Sequence, residues 1–240
     1  MKNIAVILSA GKGTRLGGDI PKQFLEVSGK TILELSISAF QENSYIDEIA
    51  VVVSPEYMSK VRKICENNNF YKVKKILCGG KERYNSSVSA IKAYRQYEDV
   101  NLIFHDCARP LVTQRIIDDT IMLLKEYSAV GVAVPSVDTV WFTKVDKKEI
   151  DYVPERNLIY RAQTPQGFNI KVISKAYDIA LKDDKFVSTD DCGVVSRYLP
   201  DVDVGIVMGE ETNIKVTYSS DIKLVEQILN TNNKKNQEGR

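Results

Sequence analysis

Histidine is nearly absent from this chain. Among 240 residues there is one, His105, so a histidine-built metal centre or a nucleophile–histidine pair has little to draw on. Cysteine is sparse as well. Cys65, Cys78, Cys107 and Cys192 lie far apart and form no C-x-x-C pair, which argues against a zinc site and reads as reduced thiols in a cytoplasm. Charge of one sign is not in excess: Lys+Arg number 33 and Asp+Glu 32. That balance argues against a dedicated nucleic-acid binder, which needs a basic face to neutralise phosphates. No apolar run approaches the ~20 residues of a membrane span, and no signal-peptide layout precedes the first core strand. The expected setting is therefore cytoplasmic, with neither membrane nor nucleic acid as partner.

What the chain does have is concentrated at its start. Ile4-Ala5-Val6-Ile7-Leu8 is a continuous apolar run rich in β-branched residues and reads as a buried strand. It opens into Ser9-Ala10-Gly11-Lys12-Gly13-Thr14-Arg15-Leu16-Gly17-Gly18, a glycine-rich loop with two cations, and Pro21-Lys22-Gln23 adds a third. Bare backbone N–H groups beside fixed positive charge suit polyphosphate. Two better-known phosphate loops do not fit. In G-x-G-x-x-G the third glycine position is Leu16, and the next strand, which should end in an acidic residue, runs into Ser54. The pattern G-x-x-x-x-G-K-[ST] has no match.

Hydrophobic residues make up 43% of the chain, enough for a sizeable core. Hydrophobic periodicity predicts helices at 32–41, 57–67, 85–97, 113–127, 172–181 and 220–229. Strands are predicted at 49–53, 73–77, 101–104, 129–134 and 202–207. Thr113 is a good N-cap. This α/β alternation implies a mostly parallel, Rossmann-like sheet with helices on both faces, in a single domain spanning residues 1–229. In such sheets ligands bind at the carboxyl ends of the strands, where the polar loops 9–18, 79–83 and 105–110 fall. Residues 137–157 break the rhythm and read as a protruding β-hairpin arm with a charged turn. It carries Trp141 beside Phe142, and such a hairpin either buries its aromatic residues in a partner or folds back on its own domain. Residues 230–240 lack an apolar anchor and are expected to form a flexible tail.

Five motifs stand in order along this scaffold. They are Ala10-Gly11-x-Gly13-Thr14-Arg15-Leu16-Gly17 with Pro21-Lys22-Gln23-Phe24-Leu25; Gly79-Gly80-x-x-Arg83-x-x-Ser86-Ser87-Val88; His105-Asp106-Cys107-Ala108-Arg109-Pro110; Ala162-Gln163-Thr164-Pro165-Gln166-Gly167-Phe168; and Asn213-Ile214-Lys215-Val216-Thr217. The set resembles the polyol-phosphate cytidylyltransferases, which include the ribitol 5-phosphate and 2-C-methyl-D-erythritol 4-phosphate enzymes. The resemblance extends over roughly residues 3–229 and implies a nucleotidyltransferase fold. The implied reaction is attack by the acceptor's phosphate on the α-phosphorus of CTP, expelling pyrophosphate. A phosphate monoester has a second pKa of about 6 and is largely dianionic at neutral pH, so no general base is required. Positive charge and in-line geometry are.

By the same resemblance Arg15, Lys22 and Lys215 are expected to be catalytic, at the transferring phosphates. Ala10, Gly11, Lys12, Gly13, Gly79, Gly80, Ser87, Asp106, Ala108 and Arg109 are expected to hold the nucleotide. Thr139, Arg156, Thr164, Thr189 and Lys215 are expected to hold the acceptor. The implied cofactor is Mg²⁺ or another divalent cation, carried mainly by phosphate oxygens with Asp106 nearby. The arm implies a homodimer in which Thr139 and Arg156 reach the neighbouring subunit's site. His105 reads as a hydrogen-bonded packing residue rather than a base. Asp190 and Asp191 read either as a helix cap or as acceptor contacts.

The acceptor divides the motifs. His-Asp-x-Ala-Arg-Pro, Arg161-Ala162-Gln163-Thr164-Pro165-Gln166 and Thr189-Asp190-Asp191 resemble the methylerythritol branch. Gly80-Lys81-Glu82-Arg83, Val204-Gly205-Ile206-Val207 and Glu211-Thr212-Asn213 resemble the pentitol enzymes of capsule or teichoic-acid synthesis, and Asp138-Thr139-Val140-Trp141 lacks the methylerythritol branch's lysine. The expectation is a sugar-alcohol phosphate such as D-ribitol 5-phosphate, with 2-C-methyl-D-erythritol 4-phosphate as the alternative. Retention of Arg15, Lys22 and Lys215 argues against a non-catalytic nucleotide-binding protein. The Gly-Gly-x-x-Arg and Thr-Pro-Gln motifs argue against a transferase for sugar 1-phosphates.

Overall fold

The computed structural model describes residues 1–11 and 20–238, with side chains described as far as residue 231. Lys12, Gly13 and Arg15 lie outside the described residues. The first strand, β1 (Lys2–Leu8), alternates its side chains between two cores. Ala5 and Ile7 join one buried cluster, and Ile4, Val6 and Leu8 the other. This is the period-two signature of a strand covered on both faces. β4 (Glu48–Val53) is buried at every position and divides the same way. Helices α1 (Ile32–Gln41), α2 (Met58–Asn67), α4 (Gln114–Leu123) and α7 (Ser219–Glu238) cover one face. Helices α3 (Arg83–Tyr94), α5 (Ile170–Ala180) and α6 (Asp191–Tyr198) cover the other.

The central sheet has seven strands. In spatial order they are β11 (Val204–Met208), β7 (Ala129–Pro135), β10 (Tyr160–Asn169), β6 (Val100–Asp106), β1, β4 and β5 (Val73–Cys78). All neighbours are parallel except β10, which runs antiparallel to both β6 and β7. The predicted mostly parallel sheet with helices on both faces is what the chain forms.

Local chemistry sets the helix starts. Thr31 and Glu34 make a reciprocal capping box at α1, a device worth about 1 kcal/mol. Thr113 caps α4 as its sequence predicts, and Asn169 caps α5. Elsewhere the structure departs from expectation. The strand predicted to stop at Phe104 continues through His105 to Asp106, because these two residues stay paired with Ile7 and Leu8 of β1; the Asp106 N–H donates to Thr164 Oγ1. The final helix spans Ser219–Glu238, beyond the predicted end at Leu229. β10 and α6 are elements the hydrophobic pattern does not announce. Two short strands, Glu26–Val27 and Lys30–Thr31 (β2 and β3), close a small hairpin before α1.

The chain leaves β7 at Pro135, forms the arm and returns as β10. An antiparallel neighbour needs no crossover helix, so the arm is an elongated version of that return. Its strands β8 (Phe142–Thr143) and β9 (Ile150–Tyr152) pair with each other, and Phe142 stacks on Tyr152 with ring centroids 4.6 Å apart. The arm does not fold back on its own domain: Trp141 is 62% exposed, and Val137, Val145, Val153 and Leu158 are exposed around it.

Candidate active site

The segments that leave the carboxyl ends of β1, β5 and β6 meet at one cavity of about 230 Å³. Register brings them together. Leu8 pairs with Asp106, and Cys107 N donates to Leu8 O. Gly79 N donates to Val53 O, and Ser9 N to Val52 O. The Gly79 backbone then passes so close to Ala10 that an added Cβ would stand 2.3 Å from the Ala10 Cβ. Glycine is required there by approach, not by a turn. The wall contains Ser9, Ala10, Gly11, Lys22, Gly80, Lys81, Arg83, Ser86, Asp106, Ala108 and Lys215.

Lys22 stands at the start of a 3₁₀ turn, Lys22–Phe24, whose Gln23 and Phe24 are buried anchors. Its Nζ lies 3.5 Å from Val216 O. Lys215 comes from the segment after β11. That segment is held by Asn213, fully buried, whose Nδ2 donates to Gln163 Oε1 and Thr164 O, and by Val216 N donating to Ala108 O. Arg109 is not among the cavity-lining residues. Its guanidinium clamps Asn213 O at 2.7 Å and Ala162 O at 3.2 Å, so its visible work is to seat the Lys215 segment. Ser87 is likewise buried away from the cavity, and Ser86 takes the place at its wall.

Asp106 is the electrostatic centre. Lys215 Nζ donates to its Oδ2 at 2.6 Å and Arg83 Nε to its Oδ1 at 3.0 Å. Burial works to raise this carboxyl, but Arg83 and Lys215 outweigh it and hold it well below the usual carboxylate range. Arg83 also reaches Asp191 Oδ2 at 2.7 Å, and Tyr177 donates to Asp191 Oδ1 at 2.6 Å. The sequence assigns Arg83 no role and offers Asp191 as a cap or an acceptor contact, not as the partner of Arg83. Arg83 is visible in the Gly-Gly-x-x-Arg spacing, but nothing in the sequence places it against Asp191, 108 residues away.

His105 is fully buried, and burial pushes it down to about 4. Its Nε2 lies 3.0 Å from Arg109 O, and its Nδ1 3.1 Å from Thr164 Oγ1. A carbonyl only accepts, so Nε2 carries the proton and Nδ1 accepts from Thr164. The imidazole is thus neutral and fully committed, a packing group and not a base. Of the expected acceptor residues, Thr164 is a buried strut between His105 and Asp106, while Thr139, Arg156 and Thr189 are exposed. Arg156 lies on the 3₁₀ turn Arg156–Leu158 at the base of the arm and makes no ion pair among the described residues. Asp190 caps α6, accepting from Gly193 N. Cys107 is buried and its thiol is pushed up to about 12, so it is no nucleophile.

Cationic side chains around strand-end backbone, with the lone histidine sealed away from the cavity, are the equipment of a nucleotidyltransferase. Comparison with known proteins narrows the class. The family model described as IspD, 2-C-methyl-D-erythritol 4-phosphate cytidylyltransferase, matches residues 3–231, and the chain belongs to that family and is a cytidylyltransferase. A 2-C-methyl-D-erythritol 4-phosphate cytidylyltransferase from Thermobifida fusca is 45% identical over 231 residues, covering 95% of this chain and 93% of that protein. A bifunctional ribulose 5-phosphate reductase/CDP-ribitol pyrophosphorylase from Haemophilus influenzae is 42% identical over 229 residues, covering 95% of this chain and 48% of that protein. Among solved structures, a 4-diphosphocytidyl-2C-methyl-D-erythritol synthase from Anaerococcus prevotii superposes with a TM-score of 0.83 at 28% identity, covering 95% of this chain and 96% of that one. No helix among the described residues is long and apolar enough to cross a membrane.

Proposed function

We propose that this cytidylyltransferase transfers CMP from CTP to 2-C-methyl-D-erythritol 4-phosphate. A phosphate oxygen of the acceptor attacks the α-phosphorus, and the bond to the β-phosphate breaks as pyrophosphate leaves. The sequence alone leans to a pentitol phosphate. The family match and the Thermobifida relative weigh toward the methylerythritol acceptor. The Haemophilus relative, only slightly less similar, keeps D-ribitol 5-phosphate as the second reading. The observation that carries the mechanism is that Lys22 and Lys215 share one cavity wall with the Ser9–Gly11 backbone, while the lone histidine is sealed away from it.

In this reading the backbone at Ala10 and Gly11 cradles the triphosphate, with Lys12 and Gly13 continuing the loop. Lys22, Lys215 and Arg15 hold charge that develops at the α-phosphate. Gly79, Gly80, Ser87, Asp106, Ala108 and Arg109 shape the nucleotide side, Ser87 and Arg109 acting from behind the wall. Thr139, Arg156, Thr164 and Thr189 serve the acceptor, Thr164 through His105 and Asp106. In the same reading residues 1–229 form a single domain built around this cavity. A homodimer would bring the partner's arm, with Thr139 and Arg156, to the acceptor side.

A hard divalent cation fits the donor set. No cluster of three or more His, Cys, Asp or Glu side chains converges among the described residues, whereas Mg²⁺ is commonly held by one or two carboxylates plus substrate phosphates. Of the two carboxylates at the cavity wall, Asp106 and Glu82, Asp106 would hold it, and when bound the ion would offset phosphate charge.

A pyrophosphate-release assay with CTP, UTP, ATP and GTP against a panel of polyol phosphates tests this reading. CTP with methylerythritol phosphate is expected to turn over fastest, and excess chelator to abolish turnover. Faster turnover with D-ribitol 5-phosphate would transfer the assignment to the second reading. Comparable turnover of UTP with a hexose 1-phosphate would overturn the site assignment.

The same assay has an expected pH dependence. His105 is already neutral above about 4, so it contributes no limb near pH 6. The acceptor monoester loses its second proton at about 6, and kcat/KM for the acceptor is expected to rise through that pH and then level off. An acceptor phosphonate with a higher second pKa moves the limb upward if the limb belongs to the substrate. An unmoved limb would assign it to a protein base.

A further inference from the structure

Gln166 is a polar side chain sealed inside the sheet, and both ends of its amide are engaged. It stands where the β10 ladder resumes after its register shift, opposite Phe104 of β6 and Gly131 of β7, and it is 1% exposed. Its Oε1 accepts from the N–H groups of Asp191 and Cys192 at 3.0 and 3.1 Å. Backbone N–H groups only donate, so they fix which end of the amide is oxygen. Nε2 is thereby turned toward Asp190 and donates to its Oδ2 at 2.7 Å, with Gln163 O at 3.4 Å as a weaker second acceptor. The other carboxylate oxygen of Asp190 caps α6 by accepting from Gly193 N.

These bonds hold the turn that precedes α6. Ser188 Oγ donates to Asp190 O at 2.9 Å, across Thr189, which is exposed. The turn stands close to the cavity. Asp191, which follows it, accepts from Arg83, and Arg83 lines the cavity and reaches Asp106. An exposed turn is mobile unless something ordered holds it. Here the hold is a buried amide on a strand paired on both sides.

We propose that Gln166 is a positioning residue for the acceptor: through Asp190 it holds the turn 188–190 so that Thr189 meets the polyol phosphate. The inference rests on the reading of Thr189 as an acceptor contact. The bond from Nε2 to Asp190 serves the acceptor side alone. The bonds from Oε1 to α6 seat Asp191 and, through it, Arg83. The two ends of one amide can therefore be tested separately.

The test inverts the bond to Asp190. Gln166→Glu keeps an oxygen for the Asp191 and Cys192 N–H groups but sets a second carboxylate against Asp190. Asp190→Asn keeps an oxygen for Gly193 N, asparagine being as good a cap as aspartate, but sets an amide N–H₂ against Gln166 Nε2. Turning either amide over only moves the clash to the N–H groups of α6. Combined, the two changes restore one donor facing one acceptor, with the net charge unchanged. Steady-state kinetics in the full chain compare wild type, both single variants, the pair and Thr189→Ala. The substrates are CTP and 2-C-methyl-D-erythritol 4-phosphate, or D-ribitol 5-phosphate where the panel assigns it. Thermal melts verify folding.

Each single variant is expected to raise KM for the acceptor about 10-fold, the scale of one buried charge-assisted hydrogen bond. KM for CTP and kcat should stay within about 3-fold of wild type, because binding of one substrate is lost rather than transition-state contact. The pair should return to within about 3-fold of the wild-type acceptor KM, since partners in one bond couple. An equal rise in KM for CTP would mark a general loosening and overturn the proposal. So would an unmoved acceptor KM in the single variants, or a pair that does not recover. Where a single variant does not fold, Ser188→Ala removes the bond across Thr189 at a half-buried position. It should raise the acceptor KM about 3-fold, the scale of one neutral hydrogen bond, and no rise would overturn the proposal. If Thr189→Ala leaves the acceptor KM unmoved, the acceptor reading of Thr189 fails and the proposal falls with it. A rise in Thr189→Ala without one in Gln166→Glu overturns the role of Gln166 alone.

Discussion

Lys22→Ala is expected to lower kcat by about 10²-fold or more while leaving the fold intact. The in-line transfer crowds negative charge at the α-phosphorus, and removing one preorganised positive contact from such a transition state costs roughly that factor. The structure separates this role from stability. Lys22 lies in the cavity wall, its Nζ stands 3.5 Å from Val216 O, and the turn that carries it is anchored by Gln23 and Phe24. Truncation therefore removes charge from the cavity and little from the core. His105→Asn is the contrasting change. It breaks the hydrogen bonds to Arg109 O and Thr164 Oγ1 inside a closed region, and an orphaned buried group costs about 1–3 kcal/mol. That variant should melt several degrees lower, since each kcal/mol moves a domain of this size by about 2–4 °C. Its kcat, measured well below the melt, should stay within about 5-fold of wild type. Steady-state kinetics and thermal melts on both proteins decide the matter. A larger kcat loss in His105→Asn than in Lys22→Ala would refute the base-free mechanism.

Mixing two inactive variants is expected to restore activity. The arm leaves Trp141 62% exposed and presents an apolar surface including Val137, Val145, Val153 and Leu158, more than a solvent-facing hairpin keeps without a partner. At its base Arg156 offers an exposed guanidinium. A two-fold dimer in which each arm crosses to the partner serves both features. In a mixed dimer of Arg156→Ala and Lys22→Ala subunits, one site then combines an intact Lys22 with the partner's intact Arg156, and the other carries both defects. Random exchange should regenerate about a quarter of all sites. If Arg156 serves its own chain, every mixed site carries one defect and nothing returns. Arg156→Ala alone should raise KM for the acceptor far more than for CTP. Absence of rescue, with subunit exchange confirmed independently, would rule out the crossed arm.

The framework was legible in the residues because it rests on short-range rules. A strand covered on both faces must read as an apolar run, as 4–8 and 49–53 do. A helix start needs an oxygen at its cap, as Thr113 supplies. Loops at the carboxyl ends of parallel strands must converge, and Ala10, Gly80 and Asp106 do line one cavity. β10 shows where such rules stop. Gln163-Thr164-Pro165-Gln166-Gly167 is polar, carries a proline and a glycine, and has low intrinsic strand preference. It nevertheless lies between β6 and β7, its register shifting between Gln163 and Gln166. It is tolerated there because distant groups satisfy it: Glu210 O takes Gln163, His105 takes Thr164, and Asp190 and Asp191 take Gln166. Local sequence therefore determined the strands, the cap of α4 and the loops that meet at the site. Tertiary structure alone decided that Thr164 and Arg109 brace the wall rather than line it, that His105 is neutral, and that Arg83 joins Asp106 to Asp191. Hydrophobic period and capping are set within a few residues, whereas the ionisation and reach of a buried side chain depend on partners that only folding brings near.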